Sequence, residues 1–136
     1  LYRRYVRLGK LSDLNAAIIR VETAIDTYAA GNPSHNDMLN VQSDLLRERF
    51  GRLGGMRDLE LVEGINEEIV RRSRTGDPES TRAIAYLGVV LYKRFERIGT
   101  LGDLQKAIKL TEEALTATPL DHPDRAAGLS NLGGML

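Results

Sequence analysis

The chain repeats itself every 45 residues, and this limits what it can fold into before any local structure is considered. Leu1, Arg4, Tyr5, Arg7, Gly9, Asp13 and Leu14 recur as Leu46, Arg49, Phe50, Arg52, Gly54, Asp58 and Leu59. They recur again as Leu91, Arg94, Phe95, Arg97, Gly99, Asp103 and Leu104. The register runs without insertion through Pro33, Pro78 and Pro123 and through Leu39, Ile84 and Leu129. Chance could supply one such column, but not nine in phase. A period of about 20–50 residues marks supersecondary units that cannot bury an apolar face alone and do so by stacking on their neighbours. The units run over about 1–45, 46–90 and 91–135 of a single repeat domain.

Within a unit the apolar spacing predicts two helices. Ile84, Leu87, Leu91 and Phe95 fall at three- and four-residue steps and form one stripe, which defines helix A. Gly9, Gly54 and Gly99 follow, where a helix can end in a left-handed turn that costs glycine nothing. Asp13, Asp58 and Asp103 stand at the start of the next apolar segment. There a carboxylate is expected to cap free amides and meet the positive helix end. Helix B begins at this point. Its packing face carries Leu14, Ala17, Ile18, Ala24 and Ile25 in the first unit and Leu104, Ala107, Ile108, Ala114 and Leu115 in the third. In the second unit Glu63 and Asn66 interrupt that face while Leu61 and Ile65 add apolar surface beside it, so this helix is expected to be rotated or wetter. Polar, proline-bearing stretches around Asn32 and Pro33, Asp77 and Pro78, and His122 and Pro123 are the expected links between units.

Composition closes off several classes of function. Lysine plus arginine number 19, as do aspartate plus glutamate, so no excess charge draws the molecule to nucleic acid or to an anionic membrane. The longest apolar stretch, Ala83 to Tyr92, falls well short of the ~20 residues of a spanning helix and reads as a buried core helix. With no cysteine there is no disulfide framework and no thiolate metal site, which fits a reducing intracellular compartment, with the cytoplasm expected. The sequence opens directly on an amphipathic segment and stops at Leu136, in register with Leu91 and Leu46. It therefore reads as a fragment of a longer array, truncated at both ends and with raw packing surface there.

Ala126, Leu129, Asn131, Leu132 and Gly133, with their copy around Leu87 and Gly88, resemble the first helix of a tetratricopeptide repeat, in which a leucine-glycine pair lets two helices pack closely. Ala107, Ala114 and Pro119 resemble that family's second-helix alanines and closing proline. About two helical turns more than the ordinary 34-residue unit lie between Leu91 and Ala107. The chain is thus similar to an expanded, kinesin-light-chain-like variant of the kind found in fungal signalling proteins that also carry nucleotide-binding or caspase-like domains. The resemblance implies an all-α, right-handed solenoid of antiparallel helix pairs whose concave wall, lined by helix A, binds protein or peptide. By register the groove would be lined by Asp37, Asn40, Asp44 and Arg47 and then by Arg82, Val89, Tyr92 and Glu96. The lysine and asparagine clamp with which one subtype holds a terminal carboxylate is absent. Its places are taken by Asn40 and Asp44, Ala85 and Val89, and Ser130 and Gly134.

Other polar features have two readings each. The columns Arg4, Arg49 and Arg94 and Arg7, Arg52 and Arg97 could form a ladder for acidic peptide or phosphate. The preferred alternative is that they close helix A and pair with a neighbouring carboxylate. Tyr2 and Tyr92, with Arg47 between them in register, form either an aromatic edge of the groove or covers over a packing seam with wet hydroxyls. His35 and His122 occupy unequal places in the repeat and have no companion ligands. Gly51, Gly54 and Gly55 lack the spacing of a dinucleotide loop, and Arg71, Arg72 and Arg74 end a helix where cations are favoured anyway. No nucleophile, base and acid stand in a recognisable motif, so neither catalysis nor a cofactor is expected. Two functional readings remain: a protein-interaction scaffold, and a regulatory sensor arm that self-associates through its ends within a multidomain signalling protein.

Overall fold

A computed structural model of the chain describes residues 10–27, 35–74 and 76–136. Among these residues the structure is all-helical, without a strand, and contains six helices. In chain order they are α1 (Leu11–Thr27), α2 (His35–Leu53), α3 (Met56–Arg72), α4 (Pro78–Ile98), α5 (Leu101–Ala117) and α6 (Asp124–Met135). The period seen in the sequence reappears in the backbone. Helices α1, α3 and α5 are each 17 residues long, and their first residues are separated by the 45-residue step. They are helix B of successive units, and α2, α4 and α6 occupy the helix A positions.

Local chemistry explains the boundaries. Gly54 and Gly99 have φ of 70° and 81°, the left-handed region in which a Cβ would be strained. Their backbone N–H groups donate to the carbonyls of Phe50 and Phe95, each at 2.7 Å, closing helix A before the chain turns into helix B. Gly9 lies outside the described residues. Pro78 enters α4 in its first turn behind an extended Asp77, where the missing N–H costs nothing. Pro123 precedes α6 directly, and Pro33 lies outside the described residues.

The aspartates behave differently from the expectation. Asp58 and Asp103 are the third residues of α3 and α5, inside the first turn, so they do not occupy the capping position. The residue before α5 is Thr100, whose side chain makes no capping bond. Each carboxylate is taken instead by an arginine of the preceding helix A, because a bidentate guanidinium satisfies both oxygens at once.

The chain divides into two compact units, residues 1–65 and 66–136, with the division inside α3. In the first unit α1 packs on α2. Leu14, Ala17 and Ile18 of α1 are buried, as are Leu39, Leu45, Leu46 and Phe50 of α2. Full burial of each large side chain stabilises by about 1.5–3 kcal/mol before entropy is counted. In the second unit α5 packs along both α4 and α6. Leu91, Ala107 and Met135 form a core, with Tyr92, Leu104, Ile108 and Leu110 packed around it. The close approach of α4 and α5 depends on Gly88: a Cβ there would lie 2.7 Å from Thr111 Oγ1 and 3.3 Å from the Ala107 carbonyl oxygen. The glycine of the Leu87 and Gly88 pair thus lies at a close helix–helix approach.

Helix α3 keeps its face in register. Leu59, Val62 and Ile69 are buried, matching Leu14, Ala17 and Ala24 of α1, while Leu61 and Ile65 stay only half-buried. Asn66 is 1 % exposed, so that polar residue is carried inside the packing face, while Glu63 stays half-buried where Ile18 of α1 is fully buried. None of the described helices is long and apolar enough to cross a membrane.

Candidate functional site

The eight residues assigned to the groove fall on two helix faces. Asp37, Asn40, Asp44 and Arg47 step along α2 at intervals of three, four and three residues, which aligns them on one stripe. Asp37 is exposed and the other three are half-buried. Asp44 and Arg47 pair with each other across one turn, so their charges are partly spent within the stripe. Arg82, Val89, Tyr92 and Glu96 likewise lie along one stripe of α4, with Arg82 and Glu96 exposed and Val89 and Tyr92 half-buried. The first stripe belongs to residues 1–65 and the second to residues 66–136.

Tyr92 does more than edge a surface. Its hydroxyl donates to the Gly134 carbonyl of α6 at 2.9 Å, and its ring lies 6.3 Å from that of Phe95 at an interplanar angle of 23°. The covering of a packing seam is therefore present, and the hydroxyl at its exposed edge is also bonded to protein. Tyr2 lies outside the described residues.

The arginine column reads as structure. Arg49 Nε and Nη2 donate to the two carboxylate oxygens of Asp58 at 3.0 and 2.8 Å, and Arg94 makes the same fork to Asp103 at 3.0 and 2.9 Å. The donor and acceptor are nine residues apart in both cases, so the fork spans the turn from helix A to helix B. Arg49 also reaches Asn15 of α1 at 3.2 Å, tying three helices together. Its guanidinium is held protonated above its ordinary range, chiefly by the hydrogen bond to Asp58. Burial works against this, and the charges of Asp58 and Glu22 add to it. Arg52 and Arg97 are exposed at the ends of α2 and α4. Arg4 and Arg7 lie outside the described residues. At the end of α3, Glu68 pairs with Arg71 and, at 3.6 Å, with Arg72. The Arg71 hydrogen bond leads the effects that hold the Glu68 carboxyl below the usual range.

Three contacts had little signal in the sequence. Ser73 and Thr118, one period apart, bond through their hydroxyls to the carbonyls of Ile69 and Ala114, both at 2.7 Å, at the end of helix B, where the Ile69 carbonyl also accepts the Ser73 backbone N–H. Their shared place in the repeat was the clue. Arg125 donates to the Leu115 and Thr118 carbonyls at 2.8 and 3.0 Å, placing a cation at the negative end of α5, which has no basic residue in its own last turn. His35 and Ser80 stand in the same column, so no repetition pointed to this role. Among the described residues no three His, Asp or Glu side chains converge as metal ligands would. Comparison of the chain with protein-family models, with curated proteins and with solved structures gave no match.

Proposed function

We propose that this chain is a protein-interaction scaffold of the tetratricopeptide kind. In this reading the antiparallel helix pairs stack into a right-handed solenoid, and the helix A stripes bind an extended or helical peptide or a neighbouring domain, in the cytoplasm and without a cofactor. The observation that carries the reading is a contrast between constant and varied positions. Helix B length, the left-handed glycine and the arginine–aspartate fork are copied from unit to unit. On the helix A stripe, by contrast, Asp37, Asp44 and Arg47 become Arg82, Val89 and Tyr92 one period later. A constant frame bearing a varied, partly exposed stripe suits recognition, where anchors and charges are matched to a partner and the frame is not. The balance of charges, with 19 of each sign, favours a polypeptide over nucleic acid.

The test is selection of peptides from a random library against the whole chain, followed by calorimetry with charge reversals at the exposed Arg82 and Glu96. Selected peptides should lose at least about tenfold in affinity with Arg82→Glu or Glu96→Arg, corresponding to roughly 1.4 kcal/mol, while the melting temperature stays unchanged. Peptides whose affinity ignores both reversals would count against the helix A stripe as the binding surface.

A further inference from the structure

Of the four prolines in the chain, Pro119 alone follows a hydroxyl residue. The repeat offers no parallel for the pair of Thr118 and Pro119: one period earlier its places hold Ser73 and Arg74, and two periods earlier Tyr28 and Ala29. The pair stands where α5 ends. Thr118 is extended, with φ −91° and ψ 128°, the conformation that the ring of a following proline imposes. It is half-buried, while Thr116, Ala117 and all of residues 119–124 are exposed. A threonine in extended backbone, followed by proline and flanked by exposed chain, has the shape that a proline-directed protein kinase reads. Arg125 is a second departure from the repeat in the same unit, in the column of His35 and Ser80, and it meets the first. Its Nη1 donates to the carbonyl of Thr118 itself at 3.0 Å and to that of Leu115 at 2.8 Å. A guanidinium carries further donors on Nε and Nη2. Residues 110–124 include no lysine or arginine but four exposed carboxylates, Glu112, Glu113, Asp121 and Asp124.

We propose that Thr118 is a phosphorylation site for a proline-directed protein kinase and that Arg125 receives the phosphate. Thr118 Oγ1 forms a bond to the γ-phosphorus of a nucleoside triphosphate held by the kinase, and the bond from that phosphorus to the bridging oxygen breaks. The nucleoside diphosphate leaves, and the hydroxyl proton passes to a carboxylate of the kinase. The product no longer donates from Oγ1 to the Ala114 carbonyl, a bond of 2.7 Å in the unmodified chain. It carries a charge of about −1.5 to −2. That charge lies at the negative end of α5, with carboxylates on either side in the chain, and both disfavour it. Arg125 offsets them by turning from the two carbonyls to the phosphate, since a charge-assisted bond is stronger than one to a neutral carbonyl. The carbonyls of Ala114 and Leu115 then lose donors together, so the last turn of α5 loosens. None of this depends on what the helix A stripes bind, so its failure and the failure of peptide binding there are separable.

The experiment incubates the whole chain with a purified mitogen-activated protein kinase and magnesium ATP, beside a peptide copying residues 112–125, and maps phosphate by mass spectrometry. The chain should be modified at Thr118. Pro119→Ala, at an exposed position, should slow the reaction at least about tenfold, and Thr118→Val should keep its circular dichroism spectrum while taking up nothing at this site. In the modified chain, amide exchange over residues 114–118 should quicken. Its phosphate should titrate by phosphorus NMR at lower pH than that of the modified Arg125→Met chain, because a guanidinium favours the dianion. The proposal is overturned if the peptide is modified and the folded chain is not, or if neither is. Phosphate on other hydroxyls only, or a rate indifferent to Pro119→Ala, overturns it as well. Equal phosphate titration with and without Arg125 overturns the role given to that residue.

Discussion

Replacing Gly88 by alanine sets two opposed effects against each other. In a helix interior glycine is about 1 kcal/mol worse than alanine, so the substitution should help the isolated helix. The structure opposes it, because the new methyl would lie 2.7 Å from Thr111 Oγ1 and 3.3 Å from the Ala107 carbonyl oxygen. The first atom cannot simply swing aside. Thr111 is β-branched and therefore stiff, and its hydroxyl donates to the Ala107 carbonyl at 2.8 Å inside a buried seam. Relief must come from pushing α5 away from α4, and overpacking of this kind costs about 1–3 kcal/mol. Net destabilisation of Gly88→Ala is therefore about 1 kcal/mol. Gly133 occupies the same place in the repeat but has open space where its Cβ would be, so Gly133→Ala should be stabilising by about 0.5–1 kcal/mol. Helix propensity largely cancels in the difference between the two variants, leaving the steric cost of the α4–α5 seam. Urea unfolding followed by circular dichroism measures both, and a Thr111→Ala background should reduce the Gly88→Ala penalty to less than half. If both glycine substitutions stabilise by the same amount, the close approach at Gly88 does not exist and the reasoning fails.

Three other outcomes follow from contacts described above. Asp58→Asn should destabilise by about 1–2 kcal/mol, since it leaves a half-buried guanidinium without its charged partner, and little further loss should follow in an Arg49→Met background, as a double-mutant cycle by urea unfolding would read. Arg125→Met should cost about 1–2 kcal/mol and raise hydrogen exchange in the last turn of α5, where the Leu115 and Thr118 carbonyls each lose a donor, the former keeping the Thr118 N–H. Glu68 has a folded-state carboxyl pKa below its unfolded value. Its contribution is therefore fully present above the unfolded range and is lost as pH falls through the folded pKa, so NMR titration should find Glu68 titrating below an ordinary glutamate and Arg71→Ala should move it back up.

The legible part of this protein was local. A glycine followed by an apolar-periodic segment marks a helix end and a helix start wherever it occurs, and three occurrences in phase placed helix B correctly each time it is described. Pro78 was readable for the same reason. The roles of the aspartates were not. A carboxylate at the head of a helix suits both a cap and an ion pair, and only the folded turn shows that Arg49 and Arg94 arrive with the right fork. Asn66 misled for a related reason: a polar residue on an apolar face suggested rotation, whereas the face stayed in register and enclosed it. The groove residues could be placed on helix stripes because a helix fixes which positions align, but the partners of Tyr92 and Arg47 along those stripes came from the structure.

By itself the sequence determined the period, the helical class and the two-helix unit, since backbone conformations at glycine and proline and the spacing of apolar side chains act within a few residues. Tertiary structure decided which of the equivalent positions are used alike. Gly88 sits against Thr111 while Gly133 faces open space, and Arg125 closes the end of α5 from a column that His35 and Ser80 fill in the other units. These differences depend on which helix lies opposite, a contact between residues far apart in the chain, and identical letters in a repeat carry no record of it.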